Sequence, residues 1–295
     1  MADSVDRSNL WFDDGNIILS VRGTHFRVHR GVLARHSKVF KDMTSIPQPP
    51  AADSCPTVPL DDNPEDWEKL LKIMYDCDLS HLSWETFELP ALAAVLRLGR
   101  KYAIDKLHES ALERILGAIP DSLVKLDKYF LELGQGVPFG DDLIDLLNLL
   151  LELDLDSRRP VVYWLCLYWI SLNEILHGVE RLDGTIARLS PESIERLIQG
   201  QDNILRSLEF MAFQDVCVPS PMCTRKVTCG SVVAIRSLVW PFPFVDTALK
   251  KGMHPALNNL CQQCQDNLAG IRETRRLGLW NNLPYYFGLG PQATE

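Results

Sequence analysis

Two short β-rich runs stand near the start of a chain whose remaining apolar pattern is almost entirely helical, and this contrast restricts the fold more than any other feature. The runs cover 17–21 and 24–29, and the Arg22-Gly23 pair between them predicts a β-hairpin. Residues 57–60 add a candidate edge strand after a proline-rich loop. Apolar residues at helical spacing predict helices from Gly31 to Met43, from Asp61 to Tyr75, over 86–101 and over 105–117. The first part of the chain is therefore predicted to be an α+β domain.

The order of these elements, together with the residues that they carry, resembles the BTB/POZ domain. The resemblance rests on four stretches in the same order: Asp14–Val21, Phe26–Phe40, Leu70–Tyr75 and Leu96–Leu107. It covers residues 10–118 and implies a small sheet with surrounding helices. Asn16 departs from the aspartate that co-repressor-binding relatives usually carry, whereas the basic residue Arg30 is kept.

The resemblance also implies a function, because BTB/POZ domains are protein-interaction modules that often homodimerise. It implies a non-enzymatic scaffold or adaptor whose two-fold interface uses Trp11, Phe12 and Val32, while Leu33 and Phe40 are expected to fill the core. Two alternatives stay open. One is a ubiquitin-ligase substrate adaptor that binds a cullin-type scaffold, and the other is a transcriptional regulator with a basic, DNA-contacting tail.

A second, α-helical domain is predicted over 120–213, because no strand ladder is evident there. Leucines surround a narrow polar stripe between Leu143 and Leu153, which is typical of a helix buried on most sides. The most apolar run, 161–172, is too short for the ~20 residues that a membrane-spanning helix needs. Ser190-Pro191 predicts the start of a third helix, and the glycine-rich stretch 134–140 is interpreted as a linker.

The remaining segment, 214–295, is predicted to be a small cysteine-rich tail. Cys261 and Cys264 form a C-x2-C pair, a spacing at which two thiolates reach one tetrahedral Zn²⁺. Cys223 and Cys229 are the predicted second pair, although their spacing is wider than usual. The sequence therefore predicts a structural zinc site with these four ligands, and Cys217 or His254 is an alternative ligand. Free thiols, or a redox or disulfide role, are the other interpretations.

The flanks of this tail strengthen the zinc hypothesis without supplying a function. Several prolines in the tail disfavour regular secondary structure. A metal ion that cross-links the tail would supply the stability that is then missing. The residues from Arg272 to Leu289, with the cysteine pair before them, resemble the C-terminal segment of uncharacterised fungal BTB/POZ proteins. Cys55, Cys77 and Cys166 are scattered and are interpreted as inert thiols.

Charge limits the choice of partners. The chain carries 30 basic and 39 acidic residues, a formal net charge of −9 that opposes binding to nucleic acid or to anionic lipid. Residues 217–280 are locally basic, with eight basic and three acidic residues, and form either a solvated face, a patch that pairs with the acidic helical domain, or a nucleic-acid contact. The sequence contains no G-x-S-x-G motif or comparable signature of a catalytic nucleophile. The polar start lacks the features of a secretory signal, so the protein is predicted to be intracellular, cytoplasmic or nuclear.

Overall fold

The structure is a computed structural model that describes residues 6–45, 55–76, 88–132, 139, 142–214, 219–230, 249 and 259–291, and of 209–214 only the backbone. The chain divides into two compact units, Met1–Ala118 and Ile119–Glu295. The finer division of the second unit at residue 214, into a helical domain and a tail, stays a prediction.

The N-terminal unit is a four-stranded sheet with helices on one face. Its strands have the order β1-β3-β2-β4, where β2 and β3 pair antiparallel while β1 and β4 join them in parallel. Its elements are β1 (Asp6–Trp11), β2 (Ile17–Val21), β3 (Thr24–Val28), α1 (Arg30–His36), α2 (Lys38–Ser45), β4 (Thr57–Leu60), α3 (Pro64–Asp76), α4 (Leu89–Lys101) and α5 (Asp105–Ala118).

The predicted hairpin and edge strand are present, but two details of this unit differ from the prediction. One helix was expected from Gly31 to Met43, and the chain instead breaks at Ser37. The Ser37 hydroxyl donates to the Tyr102 carbonyl at 2.6 Å and accepts from the backbone N–H of Phe40 at 3.1 Å, so it ends α1 and starts α2. Strand β1 was not predicted at all, because its residues are mostly polar and do not alternate. Leu33 and Phe40 are buried in the core, as expected.

A half-buried carboxylate fastens the end of the sheet to the helices of this unit. Asp62 accepts hydrogen bonds from Lys101 Nζ at 2.6 Å, the Tyr102 hydroxyl at 2.5 Å and Trp67 Nε1 at 3.1 Å. Burial alone would raise the pKa of Asp62, but these three donors outweigh it and hold that pKa below its usual value. The carboxylate is therefore charged in the folded protein.

The C-terminal unit is helical apart from one small hairpin. Its elements are α6 (Leu123–Glu132), α7 (Leu143–Glu152), a 3₁₀ turn (Asp156–Arg158), α8 (Arg159–Trp169), α9 (Leu172–His177), β5 (Val179–Glu180), β6 (Ile186–Ala187), α10 (Pro191–Gln214), α11 (Gln262–Asn281) and α12 (Leu283–Tyr286). The run 161–172, predicted as one helix, is split because Ser171 and Glu174 form a capping box that starts α9. The two-residue strands β5 and β6 were not predicted, and the linker expected at 134–140 lies outside the described residues except for Phe139.

The end of the chain packs tightly onto the helical core of this unit. The ring of Phe287 stacks on Tyr163 of α8 with a centroid distance of 5.2 Å, and Arg196 of α10 donates to the carbonyls of Phe287 and Gly288 at 3.0 Å. A methyl group built on Gly200 of α10 would overlap the Phe287 ring. Glycine is therefore required at this point because two elements approach too closely for any side chain.

A pair of glycine substitutions tests this packing. We expect Gly200→Ala to destabilise the C-terminal unit by about 1–3 kcal/mol, because the buried Phe287 ring has no room to move away. Gly270→Ala, in the middle of α11, has no atom within 4 Å of the added methyl group and should instead stabilise by about 0.5–1 kcal/mol. Urea unfolding of both variants measures the difference. Equal effects of the two substitutions would contradict the packing described.

Candidate functional site

Four buried cysteine side chains meet in the C-terminal unit. The sulphur atoms of Cys223, Cys229, Cys261 and Cys264 all lie within 4.8 Å of one another. The Sγ atoms of Cys223 and Cys261 are 3.7 Å apart, and four ligands at the usual Zn–S distance of about 2.3 Å around a tetrahedral ion would be about 3.8 Å apart. None of the six cysteines that the structure describes is in a disulfide. The arrangement is therefore able to hold a metal ion.

The unusually wide spacing of the first pair is explained by local structure. The backbone N–H of Cys223 donates to Ser220 in a turn, and a helical stretch over 226–230 follows. Within it the N–H of Cys229 donates to the Arg225 carbonyl at 2.9 Å. This helical turn brings Cys229 back beside Cys223. The two sulphurs therefore lie close together although five residues separate them in sequence, where a C-x2-C turn has only two.

The second pair lies at the start of a helix. Cys261 is the N-cap of α11, and Cys264 follows in its first turn. The unpaired N–H groups at a helix N-terminus favour negatively charged ligands, and the two sulphurs of this pair gain from that field. The C-x2-C spacing thus places one sulphur at the start of the helix and the other within its first turn.

Backbone donors around the cluster also stabilise thiolate charge. Ser220 N–H donates to Cys264 Sγ and Cys261 N–H to Cys229 Sγ, each at 3.3 Å. Hydrogen bonds from the backbone of Cys264 and Thr224 lower the pKa of Cys261 to about 6. Burial, by contrast, raises the pKa of Cys264 to about 12. Four adjacent thiolates repel one another, so full deprotonation of the cluster needs a cation among them.

The cysteines also make up most of the local core. The buried residues of this cluster are the four cysteines and Leu260, with Leu268 of α11 packed against them. Two further bonds join the segments: Arg225 donates to the Asn259 carbonyl at 3.3 Å, and Gln265 donates to the Leu260 carbonyl at 2.9 Å. So small an apolar core contributes little stability by itself, and a metal ion is the usual replacement for it.

The two other cysteines that the structure describes, Cys55 and Cys166, lie apart from the cluster. Cys166 is fully buried in α8, and burial raises the pKa of its thiol to about 12, so it is an inert core residue. Cys55 is half-buried beside Gly15 in the N-terminal unit. The alternative ligands Cys217 and His254, and the scattered Cys77, lie outside the described residues.

The three residues predicted for a dimer interface have different surroundings. Phe12 stacks on Tyr75 of its own chain with a centroid distance of 4.5 Å, and Trp11 lies beneath the guanidinium of Arg7 at 4.5 Å. Val32 is half-exposed on α1. No partner chain is present, so the interface itself stays a prediction.

The position at which the sequence departs from co-repressor-binding relatives has a clear local role. The side-chain oxygen of Asn16 accepts a hydrogen bond from the backbone N–H of Arg30, at 2.8 Å, where α1 begins. An amide oxygen serves this purpose as well as a carboxylate, but it brings no charge. Asn16 therefore makes the hydrogen bond at the start of α1 without adding the negative charge that an aspartate would bring.

Comparison with protein families assigns the N-terminal unit. Residues 12–116 match the family model described as the BTB/POZ domain. The chain therefore contains a BTB/POZ domain. This match confirms the resemblance seen in the sequence, and with the cysteine cluster in the C-terminal part it supports the predicted α+β architecture. BTB/POZ domains serve as protein-interaction modules, so a general role in binding proteins follows for this chain.

The rest of the molecule is described by its structure alone. Neither the search of curated proteins nor that of solved structures found a match to this chain. In the described part of the chain, no helix is both long and apolar enough to cross a membrane. The sequence analysis did not identify the backbone donors at Ser220 and Thr224, of which Thr224 directly follows Cys223 and Ser220 precedes it by three residues.

Proposed function

We propose that this protein is a non-enzymatic, intracellular scaffold that binds partner proteins through a dimeric BTB/POZ domain and carries a zinc-stabilised C-terminal segment. The observation that supports the first part is the family match over 12–116. A ubiquitin-ligase adaptor and a transcriptional regulator with a DNA-contacting tail stay as the alternatives predicted from the sequence.

Zinc is the proposed occupant of the tetracysteine cluster. All four donors are thiolate sulphurs, which favour zinc or iron over the hard cations Mg²⁺ and Ca²⁺. The set is closed: four protein ligands complete a tetrahedron and leave no position for water or substrate. A closed site supports a structural role, and we assign the ion no catalytic step.

The surface around Val32 is the proposed dimer contact. Val32 lies on α1, and Val39 on the neighbouring α2 is 43% exposed, so apolar side chains are available on this side of the domain. A two-fold axis uses each residue twice, so one charged substitution places two carboxylates in the interface. Trp11 and Phe12 stay part of the proposed interface, and Phe12 also packs on Tyr75 of its own chain.

The dimer is tested by Val32→Asp. We expect the wild-type chain to have the mass of a dimer by light scattering after gel filtration, and the variant to be monomeric at the same concentration, because a buried unpaired charge costs several kcal/mol. Val124→Asp is the matched control, since Val124 is 79% exposed on α6 of the other unit and should leave the mass unchanged. A monomeric wild type, or a Val32→Asp dimer, would overturn this proposal.

A further inference from the structure

The solvent face of the BTB/POZ sheet carries an unusual set of side chains. Residues opposite one another in a ladder share a face, and the pairs Ile18 with Arg27, Ser20 with His25, Arg7 with His25 and Trp11 with Arg27 therefore lie on one side. The alternate residues, among them Leu19 and Phe26, are buried against the helices. We call the six residues Arg7, Trp11, Ile18, Ser20, His25 and Arg27 the basic sheet face.

The charge of this face is opposite to that of the chain. Its six residues include two arginines and a histidine but no carboxylate, and β4 adds only the exposed Thr57 and Pro59. Among the described residues, neither Arg7 nor Arg27 forms an ion pair. Asp14, the nearby carboxylate, contacts His29 Nε2 at 3.2 Å instead. The hydrogen bond from His29 and, from a longer distance, Arg27 lower the pKa of Asp14, and Asp6, Glu65 and Glu68 line a surface cavity together with Arg7. In the described part of the chain, both arginines nevertheless lack a carboxylate within ion-pair distance, although acidic residues outnumber basic ones in this protein.

The two guanidinium groups are held in place around an indole ring. Arg7 lies 4.5 Å and Arg27 6.0 Å from the centroid of Trp11. Arg27 Nε also donates to the Gly15 carbonyl at 2.9 Å, which fixes the side chain but leaves its terminal N–H groups for another acceptor. Arginines positioned in this way lose little conformational freedom when they bind a carboxylate.

We propose that the basic sheet face binds an acidic, extended segment of a partner protein, whose carboxylates pair with Arg7 and Arg27. Alternate residues of an extended strand are about 6.6 Å apart, the same repeat that separates His25 from Arg27 along β3. The inference rests on the proposed function only in that the BTB/POZ domain binds proteins.

Other occupants fit this face less well. A second copy related by a two-fold axis would bring Arg7 and Arg27 of both chains together, and like charges oppose such contact. A nucleic acid carries a dense row of phosphates, which the chain's net charge of −9 repels at long range. A short acidic peptide carries few charges and meets this repulsion far less.

The test uses the full chain and a fluorescein-labelled hexapeptide that alternates glutamate with valine. Fluorescence anisotropy should detect binding that weakens when NaCl rises from about 50 to about 500 mM, because exposed charges are screened. The same peptide with glutamine in place of glutamate should not bind. We expect Arg7→Glu to weaken binding of the glutamate peptide about tenfold or more.

Arg188→Glu is the matched control, because Arg188 is also exposed but lies in the C-terminal unit, and the substitution makes the same change in charge. It should retain affinity within about twofold. Absence of binding, equal loss in both variants, or tighter binding of a labelled oligothymidine would each overturn the proposal. The mass of each variant by light scattering is recorded in parallel, so a failed dimer is distinguished from a failed peptide site.

Discussion

Replacing Cys261 with alanine is expected to abolish metal binding and to unfold the segments around the cysteine cluster. The four sulphurs lie within 4.8 Å of one another and form most of the buried core there, so removal of one of them breaks the proposed metal site and weakens that core. Structural zinc contributes an apparent ~10–16 kcal/mol to the folding of small zinc modules. That is far more than Leu260 and Leu268 can contribute by packing, at about 1.5–3 kcal/mol for each fully buried leucine.

Hydrogen exchange measures this effect segment by segment. In Cys261→Ala, the amides of 220–229 and 260–265 should exchange at rates close to those of an unfolded chain, while the BTB/POZ domain, a separate compact unit, keeps its protection. Cys166→Ala makes the same chemical change in the buried core of α8 and should keep both the metal and the protection of the cluster. Unchanged metal content in Cys261→Ala would contradict the assignment of the ligands.

Replacing Arg276 with methionine is expected to destabilise the C-terminal unit by about 3–5 kcal/mol, because it breaks a buried ion pair on one side only. Arg276 is 1% exposed in α11 and donates to Asp127 of α6 at 2.5 Å, to Glu273 at 2.6 Å and to the Leu249 carbonyl at 3.0 Å. Methionine fills a similar volume but removes the guanidinium charge beside Asp127, whose side chain is 15% exposed.

Two comparisons show whether this cost comes from the loss of the guanidinium beside the Asp127 carboxylate. Arg206→Met removes an exposed arginine that pairs with Asp202 one turn away in α10, and should cost at most about 0.5 kcal/mol. The double variant Arg276→Met with Asp127→Leu removes both charges and should recover a large part of the lost stability. Urea unfolding, followed by hydrogen exchange of the α11 amides, measures the stability of the C-terminal unit separately from that of the BTB/POZ domain. A double variant no more stable than Arg276→Met would contradict this explanation.

The sequence predicted those parts of the fold that depend on local pattern. Strands β2 and β3 alternate between buried and partly exposed residues, and the glycine in the turn between them adopts a positive φ of 91°. Such signals are contained in a few consecutive residues. The break at Ser37 was missed because its hydroxyl bonds to Tyr102, a residue 65 positions away that no local pattern reveals.

In the candidate site, too, local patterns could be predicted from the sequence and long-range contacts could not. The C-x2-C spacing of Cys261 and Cys264 lets two sulphurs reach one point from a single turn, and in the structure this turn is the start of α11. The role of Arg276 could not be predicted, because it counts in sequence only as one charge in a basic segment. It pairs with Asp127 of α6, 149 positions earlier. The basic sheet face was missed with strand β1, since the face exists only when β1 joins the sheet.

The most direct test of the metal centre is the metal content of the full chain, purified without added metal and measured by mass spectrometry. We predict about one zinc ion per chain, with the thiols of Cys223, Cys229, Cys261 and Cys264 protected from alkylation until a chelator is added. Protein that is folded around the cluster but contains no zinc, with these four thiols freely alkylated, would contradict the account.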